Sequence, residues 1–114
     1  RVDSFEDRYE VIDYKTSSSL KVDTLKNYEK SNDFQLEFYY LAMSEIYKTD
    51  KVEAFYYDLA NTKLIEEIAL DKKLEVLTNK FETIKELSKA DVNFAKCEEK
   101  VTCVYCPYKT ICNR

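Results

Sequence analysis

The apolar residues of this chain change period along its length, and that succession constrains its fold more than any other feature. Tyr9-Glu-Val-Ile-Asp-Tyr-Lys15 is dense in β-branched and aromatic residues, and Arg1-Val-Asp-Ser-Phe5 alternates before it. With the polar Glu6-Asp7-Arg8 between them, the two segments read as a β-hairpin. Thr16 to Asp33 sustains no apolar period and holds three consecutive serines, so it reads as a long loop of the kind that borders active sites. Asn32 or Asp33 can cap a helix running to about Lys48. Apolar side chains wrap most of that cylinder, which predicts a buried helix. Val52 to Leu59 and Lys63 to Ile68 are expected as strands joined by a tight Ala60-Asn61-Thr62 turn. From Asp71 to about Lys89, Leu74, Leu77, Phe81, Ile84 and Leu87 recur at steps of three and four, the pattern of an amphipathic helix. The predicted order is ββαββα, followed by a cysteine-rich tail.

At 114 residues the chain can bury one core, and it shows neither an internal repeat nor a linker rich in Pro or Gly. One domain is expected, with residues 97–114 as its tail. There is no Gly and no His, which excludes glycine-rich phosphate loops, histidine catalysis and zinc–histidine sites. Chemistry is left to Asp, Glu, Lys, Tyr and Cys. A net charge of −4 argues against a nucleic-acid partner, but only weakly, because local basic patches or bound cations can reverse the field. No apolar run approaches the roughly 18 residues of a membrane span, and no basic-then-apolar leader opens the chain. The expectation is a soluble, cytoplasmic protein with no membrane partner.

Strand alternation places Val11, Asp13 and Lys15 on one face and Ile12 and Tyr14 on the other. Asp3 joins the face of Asp13 only if the hairpin register has an even sum, as when Asp3 lies opposite Asp13 with Asp7-Arg8-Tyr9 as the loop; a two-residue loop at Asp7-Arg8 would set Asp3 against Ile12. The first register is the one expected. Facing carboxylates repel unless a cation lies between them, and a hard divalent ion such as Mg²⁺ or Mn²⁺ suits carboxylate, carbonyl and water ligands. Spacing alone favours an ion-pair cluster on a solvated sheet face.

Arg1-Val-Asp3, followed after nine residues by Ile-Asp13-Tyr-Lys15-Thr, resembles the motif core of the PD-(D/E)XK nucleases in their RecB-like branch. Gln35-Leu-Glu-Phe-Tyr39 resembles that branch's Q-x3-Y helix, and Cys103-Val-Tyr-Cys106-Pro-Tyr-Lys-Thr-Ile-Cys112 its C-terminal cysteine signature. The nearest likeness is the AddB-type nuclease end of a bacterial helicase–nuclease. The resemblance implies a restriction-endonuclease-like core over residues 1–96, an α/β fold with a mixed sheet flanked by helices. It also implies metal ligation by Asp3, Asp13 and the main-chain carbonyl of Tyr14. Lys15 would assist the attacking water, and Gln35 and Tyr39 would extend the site toward DNA. Family members open with a helix and a strand before this hairpin; this chain begins inside the hairpin, so cutting by the fragment alone is not expected.

Cys97, Cys103, Cys106 and Cys112 are spaced C-x5-C-x2-C-x5-C, able to enclose a tetrahedral Zn²⁺ or an iron–sulfur cluster. The resemblance assigns Cys103, Cys106 and Cys112 to a [4Fe–4S] cluster, with Cys97 spare or standing in for a missing partner. Tyr39, Tyr40, Tyr56 and Tyr57 sit in apolar runs and read as core rather than as base-stacking platforms. The function implied is exonuclease-like, Mg²⁺-dependent DNA hydrolysis in end processing and recombinational repair, alongside a helicase partner. The alternatives are a non-catalytic DNA-binding scaffold with the same fold, or a zinc-stabilised interaction domain.

Overall fold

The computed structural model describes residues 1–89, 91 and 95–113. Two compact units are present, Arg1–Phe81 and Glu82–Arg114. The first holds a four-stranded mixed sheet in the order β1 (Val2–Ser4), β2 (Tyr9–Lys15), β3 (Val52–Asp58), β4 (Lys63–Glu66). The outer pairs are antiparallel and β2–β3 is parallel, with Asp13 beside Tyr56 and Lys15 beside Asp58. A parallel pair needs a long crossover, supplied by the loop after Lys15, a short 3₁₀ turn at Tyr28–Lys30 and helix α1 (Gln35–Tyr47). Helix α2 (Leu70–Leu87) follows β4. The expected ββαββα order is the one observed.

The core lies where α1 covers the sheet face that carries Val11 of β2 and Val52, Ala54 and Tyr56 of β3, with Leu36 inserted from the helix. Burying an aliphatic side chain of this kind contributes about 1.5–3 kcal/mol. Tyr40 and Met43 pack against the same cluster. At the start of β2, Tyr9 stacks on Tyr47 with ring centroids 4.1 Å apart.

Helix α1 is not buried all round, contrary to its apolar composition. Only Leu36 and Glu37 are buried, while Phe38, Leu41, Ile46 and Tyr47 are exposed. A helix lying on one sheet face can bury only the stripe that meets it. The apolar stripe of α2 likewise reaches the interior at Leu77, whereas Phe81, Ile84 and Leu87 are exposed. Phe81 instead meets Phe38 edge to face at 5.9 Å.

The first hairpin departs from the expected register. Val2 faces Val11, Asp3 faces Glu10 and Ser4 faces Tyr9, so Asp3 stands three residues from its expected partner Asp13. An odd shift turns every side chain over, and Asp3 therefore projects from the face opposite Asp13 and Lys15. The turn closes tightly, Phe5 N–H donating to Arg8 O at 2.9 Å. Val2 gains an apolar partner in Val11 by this pairing. Asp3 and Glu10, directly opposed like charges, are each matched by arginine: Arg1 on Asp3 at 2.8 Å and Arg8 on Glu10 at 2.8 Å.

Without glycine, left-handed backbone falls to other residues: Lys48 ends α1 at φ 51° and Thr62 closes the β3–β4 turn at φ 51°. Asp58 organises that turn, its carboxylate accepting from Ala60 N–H, Asn61 N–H and the Asn61 side-chain amide. The Asn61 amide, with the turn's N–H groups, holds the Asp58 carboxyl below its ordinary pKa. A β-branched residue in the left-handed region carries steric cost. Thr62→Asn should therefore stabilise the protein by up to about 1 kcal/mol in urea unfolding. An unchanged or lower midpoint would show that Thr62 is unstrained there.

Candidate active site

At the C-terminal end of β2, alternation brings Asp13 and Lys15 to the face covered by α1, and the first two turns of that helix bring Gln35 and Tyr39 to meet them. The Lys15 ammonium lies 2.8 Å from Asp13 Oδ2 and donates to Gln35 Oε1 at 2.5 Å. Gln35 Nε2 in turn donates to Asp13 Oδ1 at 3.3 Å and to the Tyr39 hydroxyl at 2.8 Å. Every polar atom of the Gln35 side chain is thereby engaged, which fixes the amide between strand and helix. Tyr39, four residues on, shares the helical face of Gln35 and is partly exposed.

The Asp13 Oδ2 atom is buried and, among the described residues, accepts no well-directed hydrogen bond; its approach to Lys15 is one of charge. An orphaned carboxylate oxygen of this kind is chemically suited to a hard cation. On the Tyr14 side, strand geometry aims the main-chain carbonyl away from β3, just beyond the last β1–β2 bond, where the Arg1 amine donates to Ile12 O at 3.0 Å. Asp3 is not part of this group: it pairs with Arg1 on the other face of the sheet. No group of three or more Asp, Glu, Cys or His side chains is placed to hold a metal among the described residues. The donors that fit a divalent ion are thus Asp13 and the Tyr14 carbonyl. That set is open rather than closed, as Mg²⁺ sites that keep waters and take substrate phosphate are.

Beneath the site lies Tyr56, buried, its ring centroid 5.2 Å from Lys15 Nζ and its hydroxyl donating to Asp33 Oδ2 at 3.4 Å. Burial, and then the charges of Asp33, Glu37, Glu67 and Asp13, push the Tyr56 phenol far above its ordinary pKa, so it stays a neutral donor. A cleft of about 220 Å³ opens beside Asp13, walled by Val2, Val11, Tyr39, Ala42 and Met43. A larger cleft of about 340 Å³ lies at the other end of the sheet among Asp7, Arg8, Lys51 and Glu53, remote from this chemistry.

Three buried charges behind α1 were not legible in the sequence. Lys73 of α2 (1% exposed) lies 3.2 Å from Glu37 of α1, 3.2 Å from Glu67 and 3.3 Å from Asp23 of the long loop. Asp23 also accepts from the Ser31 hydroxyl at 2.6 Å, so this one ammonium group ties the loop, α1 and α2 together. Burial raises the Glu37 carboxyl above its ordinary pKa despite Lys73. Burial alone would lower the Lys73 pKa, but the charges and hydrogen bonds of Glu37 and Glu67 outweigh it and the net shift is upward.

In the unit Glu82–Arg114 the four cysteines form no disulfide, and they are not gathered into a metal-holding group among the described residues. Cys103, Cys106 and Cys112 are nonetheless the only described residues of that unit that are partly sheltered; the rest, including Tyr105, Tyr108 and Ile111, are exposed.

A mixed sheet whose parallel pair presents an acid-x-lysine element to a crossover helix defines the α/β nuclease fold of the restriction-endonuclease type. The chain belongs to the PD-(D/E)XK nuclease superfamily, whose family profile matches residues 1–113. No curated protein and no solved structure gives a significant match. No helix among the described residues is long and apolar enough to cross a membrane.

Proposed function

We propose that this chain carries the cleavage site of a divalent-metal-dependent deoxyribonuclease, acting as part of a RecB- or AddB-like helicase–nuclease in DNA end processing. The observation that carries the proposal is the group of Asp13, Lys15, Gln35 and Tyr39, joined by three hydrogen bonds and one ion pair. Asp13 and the Tyr14 carbonyl would hold Mg²⁺ or Mn²⁺. Such an ion, when bound, supplies a water of lowered pKa and neutralises charge on the phosphate. Lys15 adds a fixed positive charge beside the position where the scissile phosphate gains negative charge. Gln35 holds that ammonium in place and lends its rigidity to Tyr39, whose exposed edge faces the DNA backbone. Because Asp3 lies on the far face, the ligand set proposed here omits it.

The cysteine spacing and the partial shelter of Cys103, Cys106 and Cys112 support a second assignment, a tail stapled by an iron–sulfur cluster or by zinc. Analysis of the purified full-length protein for iron, sulfide and zinc decides between them; absence of all three ends the assignment.

The central test is Asp13→Ala in the full-length protein, assayed on linear duplex and single-stranded DNA with Mg²⁺. DNA degradation should fall to background while the circular dichroism spectrum is retained. Undiminished degradation would sink the nuclease reading. DNA binding without metal-dependent cleavage in the unaltered protein would point to a scaffold instead.

A further inference from the structure

We infer that Tyr56 is the positioning residue for Lys15: its ring is the floor on which the ammonium group rests, and its hydroxyl ties that floor to the start of α1. The kinetic part of this inference rests on the nuclease reading above.

Tyr56 stands beside Asp13 in the parallel register, so the two side chains leave the sheet on the same face, next to each other. The ring is 3% exposed and its centroid is 5.2 Å from Lys15 Nζ, within range of a cation–π interaction. Its hydroxyl reaches Asp33 Oδ2 at 3.4 Å, and the other oxygen of Asp33 accepts the main-chain N–H of Gln35 at 3.1 Å. One buried side chain thus touches both halves of the site, the strand residue Lys15 and the helix start that delivers Gln35. A lysine stem has several rotatable bonds and holds one geometry only if it is confined. Asp13 and Gln35 hold the ammonium head, and the Tyr56 ring adds a third neighbour, 5.2 Å away at its centroid. Packing alone would be satisfied by any apolar side chain of similar volume, but this function requires an aromatic face.

Tyr56→Phe keeps the face and loses the hydroxyl, whereas Tyr56→Leu loses both. In proton NMR of the full chain, the ε-methylene signals of Lys15, assigned by comparison with Lys15→Arg, should lie upfield of the other lysines because of the ring current. They should stay there in Tyr56→Phe and move to the position of exposed lysines in Tyr56→Leu. With Mg²⁺ and linear DNA, kcat of the full-length protein should fall on the order of 100-fold in Tyr56→Leu with KM little changed, and only a few-fold in Tyr56→Phe. Leu77→Ala, which empties a buried position in α2, serves as the stability control and should lose melting temperature without losing kcat. A Lys15 signal unshifted in the unaltered chain, or a kcat for Tyr56→Leu equal to that of Leu77→Ala, overturns the inference. If Tyr56→Leu does not fold, the unaltered chain and Tyr56→Phe decide it through the ring-current shift. If the unaltered protein cleaves no DNA, the nuclease reading falls and the NMR comparison alone judges Tyr56.

Discussion

Lys73→Met should cost this protein about 3–5 kcal/mol, the expected penalty for removing one partner from a buried charge cluster. Against the total stability typical of small domains, roughly 5–15 kcal/mol, that loss brings the fold close to its limit. The cause is electrostatic rather than volumetric, since methionine fills much the same space as the lysine stem. Without the ammonium, Glu37, Glu67 and Asp23 face one another with no positive charge among them. Their protonation then becomes the only relief, which gives the prediction a pH signature. In the native protein the Lys73 pKa is raised, so its stabilisation is complete below its ordinary value and is lost as pH rises through the folded one. The Glu37 pKa is also raised, so the folded state holds that proton more tightly, and stability from this group declines as pH climbs out of the ordinary carboxylate range. Removing Lys73 should raise the carboxyl pKa values further. The variant's deficit in urea unfolding should therefore be larger at about pH 8 than at about pH 5. A deficit under about 1 kcal/mol that does not change with pH would mean the cluster is not the strut described here.

The second large effect belongs to chemistry. Lys15→Met should lower the kcat of metal-dependent DNA cleavage by about 10²–10³, the range seen when one preorganised charge or donor is taken from the transition state. Stability should fall by only about 1 kcal/mol, because the pair keeps partial solvent contact at 25% and 17% exposure and Asp13 retains its hydrogen bond from Gln35. DNA affinity should fall only slightly. The combination of a collapsed kcat, a near-normal melting temperature and retained DNA binding separates a catalytic lysine from one that simply balances Asp13. Cleavage within a few-fold of the unaltered protein would assign Lys15 to charge balance alone.

Much of this site is local, and what is local was legible. Strand alternation sets Asp13 and Lys15 on one face, and the helical repeat sets Gln35 beside Tyr39, whatever the rest of the chain does. Period changes likewise gave the order of strands and helices. The β1–β2 register was not legible, because a three-residue strand of mixed polarity fits several pairings. The pairing of Val2 with Val11 and the reach of Arg1 and Arg8 to Asp3 and Glu10 accompany the one observed. Helix α1 misled for a related reason: its composition records how apolar it is, not how many neighbours it meets. Lys73 and Glu37 look like ordinary solvated residues in sequence, and only the packing of α2 and the long loop behind α1 buries them together.

The succession of hydrophobic periods by itself determined the order of the elements and which site residues share a face, since alternation and helical repeat are properties of neighbouring residues; their role came from the family resemblance. Tertiary structure decided the rest. The parallel crossover docked Gln35 onto Lys15 and Asp13, the floor beneath them came from Tyr56 on the adjacent strand, and an odd register carried Asp3 to the opposite face. Each of these depends on contacts between residues distant in the chain, whose energies no local pattern encodes.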